Sequence, residues 1–227
     1  PARVEVAVPE PGDFMHIPGG TVLLSSGSGE SEGEEWVFET PGGVDIVPLR
    51  LKEVVGYFNY EPVTLTTFND EAGVFYYGFS EYPGVSDYLY FGFEETIDLA
   101  DFTGKRLRLG IHLYEDDLPA RGGGVPGDRE NDIAPSAETV WEYWHEGGWS
   151  QLDLEAESEA VKVFTQSGDV EILLPGDMKG GLPGELEEGA PGELDDCNDC
   201  YWIRCGIKTP GYEIPPRIDR IFANGFT

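Results

Sequence analysis

Positive charge is what this chain has least of. Five lysines and nine arginines oppose 44 aspartates and glutamates, leaving a net charge of −30 at pH 7. Binding nucleic acid or an anionic membrane surface requires Lys and Arg to neutralise phosphates, so neither is expected as a partner. Histidine and cysteine are also scarce, at three each. His16, His112 and His145 have no serine or cysteine neighbour in the sequence that would mark an activated nucleophile, and Gly-x-Ser-x-Gly is absent. Gly122-Gly123-Gly124 lacks the Lys-Ser/Thr that follows a phosphate-cradling loop. No apolar run reaches the roughly 20 residues that a membrane-spanning helix needs, and none resembles a signal sequence. The chain opens at Pro1, without Met and inside a strand-like pattern, which reads as an internal piece of a larger protein. An acid excess of this size repels itself unless salt screens it, and halophilic proteins carry such surfaces. The expectation is adaptation to high salt in a halophile. An acidic calcium-binding surface fits less well, because the carboxylates are spread along the whole chain.

What the chain does have is turns and aromatics. Its 31 glycines and 17 prolines leave room for short strands but not for long helices. Hydrophobic residues make up 40% and aromatics 12%, enough for a packed core. The densest stretch, residues 139–149, alternates Val140, Glu142 and Trp144 with Trp141, Tyr143 and His145, then reaches Gly147-Gly148 and Trp149. That is the period of a strand with bulky groups on both faces, followed by a tight turn and a return strand at Trp149, Leu152 and Leu154. Lys105 to Tyr114 alternates Leu107, Leu109, Ile111 and Leu113 against Arg106, Arg108, Gly110 and His112, a strand with one buried face. Further strands are read at residues 3–8, 21–24, 35–40, 44–51, 63–67, 73–79, 88–93, 201–208 and 217–223. Two more are read on either side of Gln166-Ser167-Gly168, and 51–58 is ambiguous between strand and helical turn. The fold expected is all-β, an antiparallel, jelly-roll-like β-sandwich with long acidic Gly/Pro-rich loops. Residues 1–55 form an N-terminal β segment packing on or linking to the main domain. Residues 56–227 form the sandwich, with loops near 115–136 and 178–197.

No residue is assigned a catalytic, cofactor-binding or metal role. Cys197 and Cys200 make a Cys-x-x-Cys, but a closed zinc site needs four ligands and no fourth follows Cys205 at suitable spacing. A local disulfide stays open. Cys205 alternates with Ile203 and Ile207 and reads as a small buried hydrophobe. Asp195, Asp196, Asn198 and Asp199, or Asp128, Glu130, Asn131 and Asp132, could chelate calcium, yet neither run matches the calcium-loop pattern. A glycosidase-type carboxylate pair is a three-dimensional property that so acidic a sequence cannot reveal. A carbohydrate- or surface-binding module is the other alternative, and it would display Trp141, Trp144 or Trp149 beside a groove.

A series of short motifs adds to this. Ile17-Pro-Gly-Gly-Thr-Val22, Trp36-Val-Phe-Glu-Thr40 and residues 44–51 resemble the opening of baseplate J-like proteins. They are followed in order by Tyr88-Leu-Tyr-Phe-Gly-Phe93, Trp141-Glu-Tyr-Trp144 with Gly148-Trp-Ser-Gln-Leu152, Phe164-Thr-Gln-Ser-Gly168 and Leu174-Pro-Gly-Asp-Met178. Tyr201-Trp-Ile-Arg204, Tyr212-Glu-Ile-Pro-Pro-Arg-Ile-Asp-Arg-Ile221 and Asn224 complete the series. The set is similar to the baseplate assembly proteins of contractile phage tails and phage-tail-like injection systems. The resemblance implies a non-enzymatic structural component of the baseplate wedge, partnered by other baseplate, tube or sheath proteins. It would be located in the baseplate of a virion or phage-tail-like particle, and with the charge reading above, assembled in the cytoplasm of a halophile. The three cysteines and the acidic stretch from Met178 to Asp196 depart from that pattern.

Overall fold

A computed structural model describes residues 4–5, 15–24, 37–40, 43–94, 98–115, 136–156, 159–189 and 194–226. Residues 25–36, almost all of the loop near 115–136 and its four candidate calcium ligands lie outside the described residues. The strands in chain order begin with β1 (Val4–Glu5), β2 (Met15–Ile17), β3 (Val22–Leu24), β4 (Val37–Glu39) and β5 (Val44–Ile46). There follow β6 (Leu51–Phe58), β7 (Glu61–Thr64), β8 (Tyr76–Tyr77), β9 (Tyr88–Phe93), β10 (Arg106–Leu113) and β11 (Glu138–His145). The last are β12 (Gly148–Gln151), β13 (Leu154–Ala156), β14 (Gly168–Leu173), β15 (Tyr201–Thr209), β16 (Arg217–Ala223) and β17 (Gly225–Phe226). Helices are short: α1 (Thr66–Asp70), α2 (Glu159–Lys162) and α3 (Gly184–Gly189). The protein is an all-β antiparallel sandwich, as its alternation and turn content predict.

One sheet has the order β12-β11-β15-β9-β6-β7 and the other β13-β14-β10-β16-β8. From β9 onward the chain alternates between them: β9 in the first, β10 in the second, then β11–β12, β13–β14, β15 and β16 by turns. Period-two patterning fixes what meets in the middle. Leu89, Phe91, Phe93, Trp141, Ile203 and Cys205 point inward from the first sheet, facing Leu107, Leu109, Ile111, Val170, Ile172 and Ile221 from the second. The free thiol of Cys205 is buried among them, and loss of solvation pushes its pKa well above the usual range. Trp141 lies at the centre, stacked between Phe91 and Phe164 at 5.7 Å from each, with its indole N–H donating to the Lys162 carbonyl at 3.1 Å.

Two buried asparagines tie neighbouring segments to the end of β16. Asn69 of α1 donates to the Ile221 carbonyl (2.9 Å) and accepts from its N–H (2.7 Å), tying the helix to β16. Asn224 takes a left-handed conformation (φ 57°) that asparagine tolerates better than most residues. Its amide accepts from the Val47 N–H and donates to the carbonyls of Val47 and Leu49, docking residues 47–49 into the sandwich. On the outer face of the second sheet the arginines of β10 form an ion-pair ladder. Arg106 reaches Glu155 and Glu171 at 2.9 Å each, and Arg108 pairs with Glu171 and Asp169.

Several sequence expectations change in detail. The strand read at 63–67 ends at Thr64, with Thr66 and Thr67 in α1, and the one read at 44–51 keeps only Val44–Ile46 before β6 begins at Leu51. Residues 161–165 are not a strand; α2 occupies 159–162, and Phe164 adopts φ 56° with its ring buried. Val161, Val163 and Phe164 all face the core from a turn, so their alternation imitates a strand. The 73–79 run keeps only the two residues of β8 as strand. In the aromatic hairpin His145 pairs with Gly148, which puts the turn at Glu146–Gly147, with the positive φ (115°) at Gly148. The ambiguous segment 51–58 is strand throughout.

Asn224→Ala removes three buried hydrogen bonds and leaves alanine in a left-handed conformation, so it is expected to cost about 3 kcal/mol in urea unfolding. Glu171 supplies a pH prediction. Burial alone would raise its pKa, but hydrogen bonds from Arg108 and Arg106 outweigh that and hold it below the usual 4.5. A depressed folded-state pKa contributes stability that is complete above the unfolded value and is lost as pH falls through the folded one. Wild type is therefore expected to lose more stability than Glu171→Gln between pH 6 and pH 3 in parallel thermal melts.

Candidate functional site

The outer face of the six-stranded sheet gathers most of the chain's unusual side chains. On β15, Tyr201, Ile203 and Cys205 turn inward, leaving Trp202 and Arg204 outward. Tyr88 and Tyr90 of β9, Glu142 and Trp144 of β11 and Trp149 of β12 share that face by register. The stretch read from sequence as an acidic low-complexity loop covers part of it. Leu186 of α3, Leu194 and the Cys197–Cys200 disulfide pack on Val55, Tyr90 and Trp202. The cover is fastened by backbone bonds from Lys179 N–H to the Trp144 carbonyl (3.1 Å) and from Gly181 N–H to the Cys200 carbonyl (3.1 Å). Its acids are the visible part of the sequence, but its few apolar residues do the packing.

Arg204 joins sheet to cover. Its guanidinium contacts Glu142 at 2.8 Å and Glu185 of α3 at 3.1 Å, and lies 4.1 Å over the Trp149 ring and 4.5 Å over Tyr88. Tyr88 can lie across β15 because position 206 is glycine; a β-carbon there would collide with the phenol ring. Glu185 also accepts from the Trp149 indole at 2.8 Å and the Tyr90 hydroxyl at 3.2 Å. Burial opposes the charge on Arg204, yet its contacts with Tyr90 and Glu142 hold its pKa above the usual arginine value. Burial, then the Glu185 charge, push the Tyr90 phenol well above its usual range.

This geometry answers what the arrangement can do. Glu142 and Glu185 are a carboxylate pair, but a guanidinium stands between them and donates hydrogen bonds to both. The Trp149 face is occupied by Arg204, and its edge meets Trp144 at 5.2 Å. Trp141 and Trp202 are buried. The set therefore behaves as a bonded clasp, with no open aromatic platform among these tryptophans.

A second grouping was not legible as a neighbour relation in the sequence. The hairpin register brings Ser150 Oγ to 2.8 Å from His145 Nε2. Gly147 N–H donates to His145 Nδ1 at 3.1 Å, so the neutral ring carries its proton on Nε2 and donates to Ser150. A serine that accepts that hydrogen bond is not being deprotonated by the ring, so the pair braces the turn. The cross-strand pairing of Tyr143 with Ser150 is the signal that could have found it. His16 pairs with Asp45 at 2.7 Å across β2–β5, and His112 packs near Phe222. Of the candidate calcium ligands, Asp195 and Asp196 lie in a short 3-10 helix running to Cys197. Among the described residues no three His, Cys, Asp or Glu side chains gather as a metal site. Among the same residues, no helix is long and apolar enough to cross a membrane. No protein-family model matches the chain, and no curated protein matches it either.

Arg204→Ala leaves Glu142 and Glu185 without their shared cation and removes the stack on Trp149. We expect a loss of about 2–3 kcal/mol in chemical unfolding, with tryptophan emission shifted to the red in the folded baseline.

Proposed function

We propose that this chain is a non-catalytic β-sandwich domain of a contractile-tail baseplate, held in place by contacts with sister baseplate, tube or sheath proteins. One observation carries the reading. Phe91, Trp141, Phe164, Phe79 and Tyr212 form a continuous column of rings, each 5.6–6.0 Å from the next, and Tyr212 donates to the Val163 carbonyl at 2.9 Å. Four of these five residues belong to the motifs by which the chain resembles baseplate assembly proteins, and Asn224, another of them, pins residues 47–49. The shared residues are framework residues, which is what a common scaffold requires and a common active site does not. A glycan-binding module would spend its tryptophans on exposed ring faces instead.

Co-expression with sister tail proteins, followed by electron microscopy of the purified particles, tests the assignment. The chain is expected to copurify with tube or sheath proteins and to occupy the base of the particle. Recovery as a free monomer that binds an immobilised glycan would sink it. The halophilic part of the reading has its own test, in which tryptophan emission is expected to be blue-shifted and poorly quenched by acrylamide in multimolar salt. In low salt, where 30 net negative charges repel unscreened, it is expected to turn red and quenchable.

A further inference from the structure

A groove of about 720 Å³ opens where the two sheets part, between the start of β6, α1 and the end of β16. Its floor is apolar, with Leu49, Ile221 and Phe222 buried. Its polar lining reverses the character of the molecule. In a chain with three acids for every base, Arg50, Lys52 and Arg220 converge here against only Asp70 and Glu94.

Among the described residues, six cations elsewhere are committed: Arg106, Arg108, Lys162, Lys179, Arg204 and Lys208 each lie within ion-pair distance of a carboxylate. Arg50 is exposed, and its side chain has no partner among the described residues. Lys52 donates to the carbonyl of Asp196 and has no carboxylate partner among them. Local backbone geometry accounts for their position. The β6–β9 ladder slips between Leu51 and Glu53, and such bulges re-aim side chains. Thr66 and Asn69 already hold the backbone of Val54 and Ile221 at the inner end of the groove, so its polar walls are preorganised.

We propose that this groove receives an acidic, extended peptide segment of a partner protein, with carboxylates against Arg50 and Lys52 and apolar side chains on the Leu49–Phe222 floor. The assignment is independent of the baseplate reading. Charge complementarity carries it: an acidic peptide is repelled by the rest of this surface, so the groove is where it can gain contact energy. A Debye length of about 3 Å at 1 M salt removes the long-range repulsion and leaves the close contacts.

The test is fluorescence anisotropy at 1 M salt with a labelled octapeptide alternating Glu and Leu, a Gln–Leu peptide as control, and near-UV circular dichroism to verify folding. Saturable binding of the Glu peptide alone is expected, weakened about fivefold by Arg50→Gln or Lys52→Gln and abolished by the double charge reversal to Glu. Lys208→Gln, which lies outside the groove, is expected to leave it unchanged. Equal binding of the Gln peptide, or affinity unaffected by folded Arg50→Gln, would overturn the proposal. So would a result in which citrate binds with the same Arg50 dependence while the Glu peptide does not, since the groove would then take a small anion only.

Discussion

The contact between Arg204 and two glutamates from different parts of the chain is the interaction on which the architecture turns. Glu142 belongs to the sheet and Glu185 to the segment laid over it, so one guanidinium fixes the position of the cover. Without a cover, the outer side of β9 and β15 would present Tyr90 and Trp202 to water. With it, both are buried. A sheet buried on both faces needs near-continuous apolar strands, and Tyr201-Trp-Ile-Arg-Cys-Gly-Ile207 is one, interrupted only where the clasp requires charge.

Cations in so acidic a protein go where their loss would be felt. Arg106 and Arg108 bind the carboxylates of β13 and β14 into a ladder on the second sheet, while Arg204 serves the first. Arginine suits these positions because its planar fork satisfies two carboxylates at once. Many of the acids that remain, Glu61, Glu71 and Glu81 among them, are left to solvent and salt. Formal charge thus describes the surface, whereas the few bases describe the structure.

The sandwich was legible in the sequence wherever one face of a strand is buried and the other is not. Leu107, Leu109 and Ile111 alternate with Arg106 and Arg108, and the structure buries the first three and leaves the arginines exposed or half-buried; further along, Gly110 and His112 on the arginine face are buried too, beside the Phe222 ring. Residues 161–164 misled because Val161, Val163 and Phe164 are buried from a helical turn, where spacing no longer reports secondary structure. The cover was hidden for a different reason. Glycines and glutamates dominate residues 178–196, and the buried Leu186 and Leu194 are too sparse to form a period. Its Cys197–Cys200 disulfide was one of several readings open from spacing, and burial of Cys205 followed from its strand. The Arg204 clasp and the Ser150–His145 brace depend on cross-strand register, which a single sequence states only after the pairing is known. The groove at Arg50 depends on a bulge and on two sheets parting, neither of which leaves a local signal.

The alternation of the chain between sheets has a consequence for how the protein is made. β15 is an interior strand of one sheet and β16 of the other, yet they are the last long strands in the chain. Until they emerge from the ribosome, β9 and β11 have no partner between them, and β10 lacks one neighbour. Apart from the β6–β7 and β11–β12 hairpins, most of the stabilising pairings are therefore distant in sequence, and folding of this kind is slow because ordering precedes reward. A nascent chain carrying unpaired aromatic strands would ordinarily be prone to aggregate. Here every partly made molecule already bears much of the acidic charge, so mutual repulsion between chains acts as a built-in guard during synthesis.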